Sequence, residues 1–198
     1  MVSIIQSPLV QHDAKQVLLP SPFHPRIEQH CLVKNWMSWN GYQTARVYDT
    51  LASEYFAIRS SCSVMDLTPM EKYRISGPDA LSFLNRLVVR DVSALKPNRV
   101  TYAVWCNDEG KVLDDGTIFH LHQGEYRLCS QHHQLDWLLI SSLGMDVSIV
   151  EETHEVAALA VQGPTAYSVL SAAGFDGLDQ LKPFGILHTQ LDGFEVMV

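Results

Sequence analysis

The chain has 198 residues, 46% hydrophobic and 18% charged, with 14 Lys+Arg against 22 Asp+Glu and a formal net charge of −8. That length and apolar content suffice for one large domain or two small ones around a real core. The acidic balance offers no broad positive field, which argues against nucleic acid or an anionic membrane surface as partner. No apolar run approaches the roughly 20 residues needed to span a bilayer. The opening MVSIIQSPLV has neither the basic segment nor the length of a secretion signal, so a cytoplasmic location is the default expectation. Cys31, Cys62, Cys106 and Cys129 are irregularly spaced with no CxxC pair; reduced thiols are expected, not a zinc ribbon or a redox pair.

Residues 1–30 place Pro20, Pro22 and Pro25 in LLPSPFHPR, where fixed φ and missing amide donors predict an extended arm over other structure. WMSWNGY (36–42) reads as an aromatic loop. RVYDTLASEYFAIRSSC (46–62) reads as a helix ending near Arg59, since Tyr48, Leu51, Tyr55 and Ile58 recur at three- and four-residue steps. Then follow a strand (72–76), a helix (78–88), three strands (100–106, 111–122, 125–130), a helix (135–144) and a strand (146–152). This order predicts an α+β fold, with an antiparallel sheet and packed helices in a ferredoxin-like split βαβ module that gains one strand. NDEG (107–110) supplies the glycine that a short hairpin loop needs at its left-handed position.

SGPDALSFL (76–84) and QGPTAYSVL (162–170) share Gly, Pro, Ala, Ser and Leu at matching offsets, 86 residues apart. The Gly permits a sharp strand-to-helix turn and the Pro suits the first helical position. Two related sheet-plus-helix modules are therefore expected. Residues 1–66 form an arm, aromatic loop and helix that contribute to the first, 67–153 form that ferredoxin-like module, and 154–198 begin the second. PFGILHTQLDGFEVMV (183–198) adds a hairpin at Asp192-Gly193 and stops on an apolar strand without cap or tail. A continuation is expected, and an uncovered apolar edge would favour self-association.

Asp114 and Asp115 sit inside the strand VLDDGTIFHLH, and successive side chains there point to opposite faces. They cannot be a proton-sharing dyad. One face holds Val112, Asp114, Gly116 and Ile118; the other holds Leu113, Asp115, Thr117 and Phe119. Periodicity leaves open which carboxylate is half-buried, and solvated turn residues are the commoner reading of such a pair. His120 and His122, on one strand face, and His132-His133 invite a metal reading, but no carboxylate or thiolate spacing completes a recognised set. Arg86, Arg90, Lys96 and Arg99 form a basic cluster that suits an anionic ligand tail or a plain solvated face. Trp36, Trp39 and Tyr42 suit either stacking on a flat heterocycle or sealing a core edge.

Four stretches together rank these candidates: AIRSSCSVMDLTPM (57–70), SGPDALSFLNRLVVRDV (76–92), TYAVWCNDEGKVLDDG (101–116) and ALAVQGP (158–164). In this order and spacing the chain resembles the glycine-cleavage T-protein (aminomethyltransferase) family. The resemblance implies three domains around a central folate cavity, with this chain holding most of the first two and lacking the third. The family's next signature, an S-R-T-G-Y-T-G-E-like segment, is expected after Val198. It also implies tetrahydrofolate as cofactor and a lipoylated carrier protein as donor partner. The site it implies is Asp115, facing the reactive part of the folate as the catalytic group, with Tyr102 and Met70 as folate contacts. Thr68-Pro69, Lys111 and Ser130-Gln131-His132-His133 depart from the family pattern. They keep open a tetrahydrofolate-dependent demethylase of a sulfonium, amine or methoxy donor, and a folate-binding protein without turnover.

Overall fold

Pro25 sits in the first turn of a short helix, α1 (His24–His30), where its missing amide leaves no bond unmade. The computed structural model describes residues 17–198, so residues 1–16 of the expected arm fall outside it. Residues 36–42 are not a loop: β1 (Asn35–Trp39) and β2 (Tyr42–Val47) pair antiparallel, Trp39 opposite Tyr42. The two residues between them, Asn40 and Gly41, have φ of 46° and 80°, the left-handed pair that a two-residue hairpin requires. Helix α2 (Leu51–Ser60) starts later than the periodicity suggests. Thr50, in extended conformation, accepts a bond from the Ser53 amide at 3.1 Å and fixes the helix start. Strand β3 (Ser63–Asp66) follows.

Next come β4 (Glu71–Ser76), α3 (Ala80–Leu87), β5 (Arg99–Cys106), β6 (Val112–His122), β7 (Glu125–Ser130), α4 (Leu135–Ser141) and β8 (Ser148–Glu151). The five strands form one antiparallel sheet in the order β5-β6-β7-β4-β8. Alternation decides its two sides. Tyr73, Ile75, Trp105, Ile118 and Leu128 point one way and are buried beneath Phe83 and Leu84 of α3 and Leu138 of α4, forming the core. The other side carries Tyr102, Asp115, Thr117, Cys129 and Lys72, with Tyr102 opposite Thr117, Thr117 opposite Cys129 and Cys129 opposite Lys72.

The rest is β9 (Leu159–Gln162), α5 (Ala166–Ala172), a 3-10 turn at Leu178–Gln180, β10 (His188–Leu191) and β11 (Phe194–Met197). β9 pairs with β3 rather than with the large sheet, and β10 with β11. The internal repeat is structural. Gly77 (φ 115°) and Gly163 (φ 140°) make the same turn, and a Cβ would strike the Asp146 carbonyl at 2.7 Å in one case and the Ser61 carbonyl at 2.3 Å in the other. Two residues on, the amides of Asp79 and Thr165 donate to those same carbonyls, both at 3.1 Å. Each glycine thus lets a strand-to-helix turn sit directly against a neighbouring backbone. No helix among the described residues is long and apolar enough to cross a membrane.

Candidate functional site

Strand β6 separates the two carboxylates as alternation requires, and the structure decides between them. Asp114 faces the helices, 6% exposed. Its Oδ1 accepts from the Asp115 amide at 2.9 Å and its Oδ2 from the His132 amide at 3.1 Å, with the His132 ring Nδ1 3.4 Å from Oδ2. It anchors the loop between β7 and α4. Asp115 is on the opposite, helix-free side and is exposed. The Tyr102 hydroxyl, from the neighbouring strand, donates to Asp115 Oδ2. That bond to the carboxylate raises the Tyr102 hydroxyl above its usual pKa.

Next to Asp115, Gly116 is the only residue the sheet tolerates. A Cβ there would lie 1.9 Å from the Cys129 carbonyl oxygen. The close approach of β7 to β6 leaves no space for a side chain immediately beside the candidate carboxylate.

Met70, half-buried, lies outside the Tyr102–Asp115 pair. It ends a turn in which its amide donates to the Leu67 carbonyl at 3.0 Å, one residue before β4 begins. Glu71 and Gly116 both align with Ser130, and the recorded pairing of β7 with β4 and β6 stops there, so Met70 lies just past the end of the ladder that carries Asp115. The hairpin clamps that end: Asn40 Nδ2 donates to the carbonyls of Pro69 at 2.8 Å and Gln131 at 2.9 Å.

The other candidates resolve into structural roles. Trp39 Nε1 reaches the Gln131 carbonyl at 3.5 Å, Trp36 packs beside His24, and buried Tyr42 meets His154 Nδ1 at 2.7 Å through its hydroxyl. These rings seal the hairpin against its surroundings. His120 and His122 do not share a face, because a register shift between them breaks the alternation. His120 is buried, stacked on Tyr126 with Nδ1 at 2.7 Å from the Leu95 carbonyl, while His122 is exposed. From the basic cluster, Arg90 donates to the Tyr102 carbonyl at 3.2 Å. Thr68 is buried, and its Oγ1 accepts from the Ala158 amide at 3.2 Å; Lys111 is an exposed loop residue paired with Glu109 at 2.7 Å.

Sequence reasoning missed a buried polar stratum on β4, β7 and β8. Lys72, 3% exposed, donates to the carbonyls of Thr68 at 2.9 Å and Met70 at 2.8 Å, and burial lowers its pKa. Glu152 is also buried and pairs with Arg127 and, at 3.9 Å, with Arg74. Burial pushes the Cys129 thiol up to about 11. Charged residues in strand segments were a visible signal, but which of them lie under cover depends on the packing.

A five-stranded antiparallel sheet with helices packed on one side is a fold with a solved counterpart. The crystal structure of glycine cleavage system aminomethyltransferase T from Bartonella henselae superposes with a TM-score of 0.76 over 88% of this chain and 48% of that one, at 24% identity. In sequence, residues 28–198 match the family model described as the GCVT N-terminal domain, and the chain belongs to that family. The aminomethyltransferase of Bacillus subtilis is 32% identical over 155 residues, 76% of this chain and 42% of the relative. That of Thermotoga maritima is 26% identical over 179 residues, 88% of this chain and 49% of the relative. The chain thus spans less than half the length of these relatives.

Proposed function

We propose that this chain is the folate-facing portion of a tetrahydrofolate-dependent one-carbon transferase of the aminomethyltransferase type. The observation that carries the reading is the Tyr102–Asp115 pair, held on the helix-free face by a strand with no room to shift at Gly116. The reactive ring nitrogen of tetrahydrofolate is a weakly basic secondary amine that loses its proton as it gains a one-carbon unit. An acceptor carboxylate within about 3 Å orients that N–H and takes the proton, and a rigid strand holds the carboxylate better than a loop does. Asp115 is that group. Tyr102 donates to Asp115, which fixes the carboxylate's direction and presents an aromatic edge beside it. Met70 supplies an apolar contact just past the end of that ladder.

The donor in this reading is an aminomethyl group on a lipoylated carrier, and the products are 5,10-methylenetetrahydrofolate and ammonia. The exposure of Asp115 fits a pocket whose opposing wall comes from the part of the relatives' length outside the matched region. In this reading residues 67–153 act as the site-bearing module, flanked in sequence by 1–66 and 154–198.

The test is ammonia release by the protein produced from its own coding sequence, with tetrahydrofolate and an aminomethylated lipoyl carrier. Folate-dependent release supports the reading. Folate-dependent turnover of a small methylated amine, sulfonium or methoxy compound, without use of the carrier, would replace it with the demethylase. Tetrahydrofolate binding without turnover of any donor would leave a binding protein.

A further inference from the structure

Strand register brings two carboxylates together at the end of β4 away from the Tyr102–Asp115 face. Tyr73 is opposite Glu151 on β8, and Glu71, two residues before Tyr73, shares its side of the sheet. Ser130 on β7 is opposite Glu71. The chain then turns so that His133 lies over both carboxylates. Its ring packs edge-on to Tyr73, centroids 6.3 Å apart, and the next amide, Gln134, donates to the Tyr73 hydroxyl at 2.8 Å. His133 Nδ1 lies 3.5 Å from Glu71 Oε2 and 3.9 Å from Glu151 Oε2. One donor atom from each of the three residues lies within 4.8 Å of the other two.

A charge imbalance makes this cluster more than a chance meeting. The Glu71 side chain is only 6% exposed, and the Thr153 hydroxyl donates to its Oε2 at 2.9 Å. Among the described residues, no Lys or Arg lies within salt-bridge distance of Glu71 or Glu151. Glu152, the residue that follows β8, is also buried but has Arg127 and Arg74. A buried carboxylate without a permanent cation is costly. Glu71 meets that condition, and with the partly exposed Glu151 and one imidazole it presents two oxygens and a nitrogen to a common point.

We propose that Glu71, Glu151 and His133 bind a divalent transition-metal cation. Donors at about 2.1 Å from such an ion stand roughly 3.0–3.4 Å apart, so the half-exposed His133 and the partly exposed Glu151 side chain draw in toward Glu71 to close the set. The remaining coordination positions face solvent and take water. The carboxylates ride on paired strands and the imidazole on the β7–α4 loop, so the ion pins that loop to the sheet. His132 of the same loop holds Asp114, one residue from Asp115.

Zn2+ alone is the probe, added to the metal-stripped full chain and followed by calorimetry and thermal unfolding. The expected result is one equivalent bound and, at about 100-fold excess over Kd, a Tm raised by about 5–10 °C. Glu151→Gln and His133→Asn should each remove both the binding and the Tm rise. Both residues are partly exposed, so the apo variants should unfold near the wild-type temperature; Glu71→Gln is avoided because its bond to Thr153 is buried. His122→Asn, at the exposed His122–His188 stack, should leave binding intact. Absence of a Tm rise in the wild type, or binding that survives both Glu151→Gln and His133→Asn, would overturn the proposal.

Discussion

Gly116→Ala tests whether the strand beside Asp115 is as tightly held as the geometry demands. The new Cβ would lie 1.9 Å from the Cys129 carbonyl oxygen and 3.0 Å from its carbon, whereas ordinary contact begins at 3.4 Å. Both partners are backbone, so no side chain can rotate away and β6 must separate from β7 by about 1.5 Å near the Gly116–Ser130 pair. Overpacking of this kind costs about 1–3 kcal/mol, and weakening two ladder hydrogen bonds adds about 0.5–1.5 kcal/mol each. The sum is about 2–6 kcal/mol. With a urea slope of about 2 kcal/mol per molar, the unfolding midpoint should fall by about 1–3 M. Gly124→Ala is the control: that hairpin glycine has φ +76° with nothing within 4 Å of its Cβ position, so only the left-handed backbone penalty applies, about 1 kcal/mol. If Gly116→Ala proves no more destabilising than Gly124→Ala, the rigid placement of Asp115 is wrong.

Asp114→Ala should destabilise by about 2–4 kcal/mol, because the amides of His132 and Asp115 lose a buried acceptor; a change under 0.5 kcal/mol in chemical denaturation would contradict the anchoring role. Thiol labelling of the native chain at neutral pH should modify the half-buried Cys62 and Cys106 quickly, while Cys129, buried and shifted to about 11, and buried Cys31 react only on unfolding. Rapid labelling of all four, read by mass spectrometry, would refute this. The exposed Val64, Met65 and Leu159 of the β3–β9 pair should drive concentration-dependent association in sedimentation velocity, and Met65→Lys should weaken it; a monomer at all concentrations would show that this edge is not adhesive.

The large sheet was legible because its strands alternate over most of their length and its turns at Gly110 and Gly124 carry glycine at left-handed positions. Residues 125–130 form a strand as expected, and the helices shift by only a few residues, Ala80–Leu87 within the expected 78–88. The aromatic hairpin was missed although its signal was present: Asn40-Gly41 between residues of high strand propensity marks a two-residue turn. Four-residue β3 was not readable, since it pairs with β9 almost a hundred residues on and has too few residues for periodicity to register. Alternation separated Asp114 from Asp115 correctly but could not say which side the helices would cover. His120 and His122 misled because the register shift after His120 cancels the alternation on which their common face depended. Glu71, His133 and Glu151 match no local spacing, and only the pairing of β4 with β7 and β8 brings them together.

Replacing the carboxylate on the open face while keeping its shape is the most direct test of the proposed chemistry. In the transferase assay, Asp115→Asn should lower turnover by about 10²–10⁴-fold, with the unfolding midpoint within about 0.5 kcal/mol of wild type because the exposed side chain supports no buried contact. Turnover unchanged by that substitution in a normally folded protein would contradict the assignment of Asp115 as the proton acceptor.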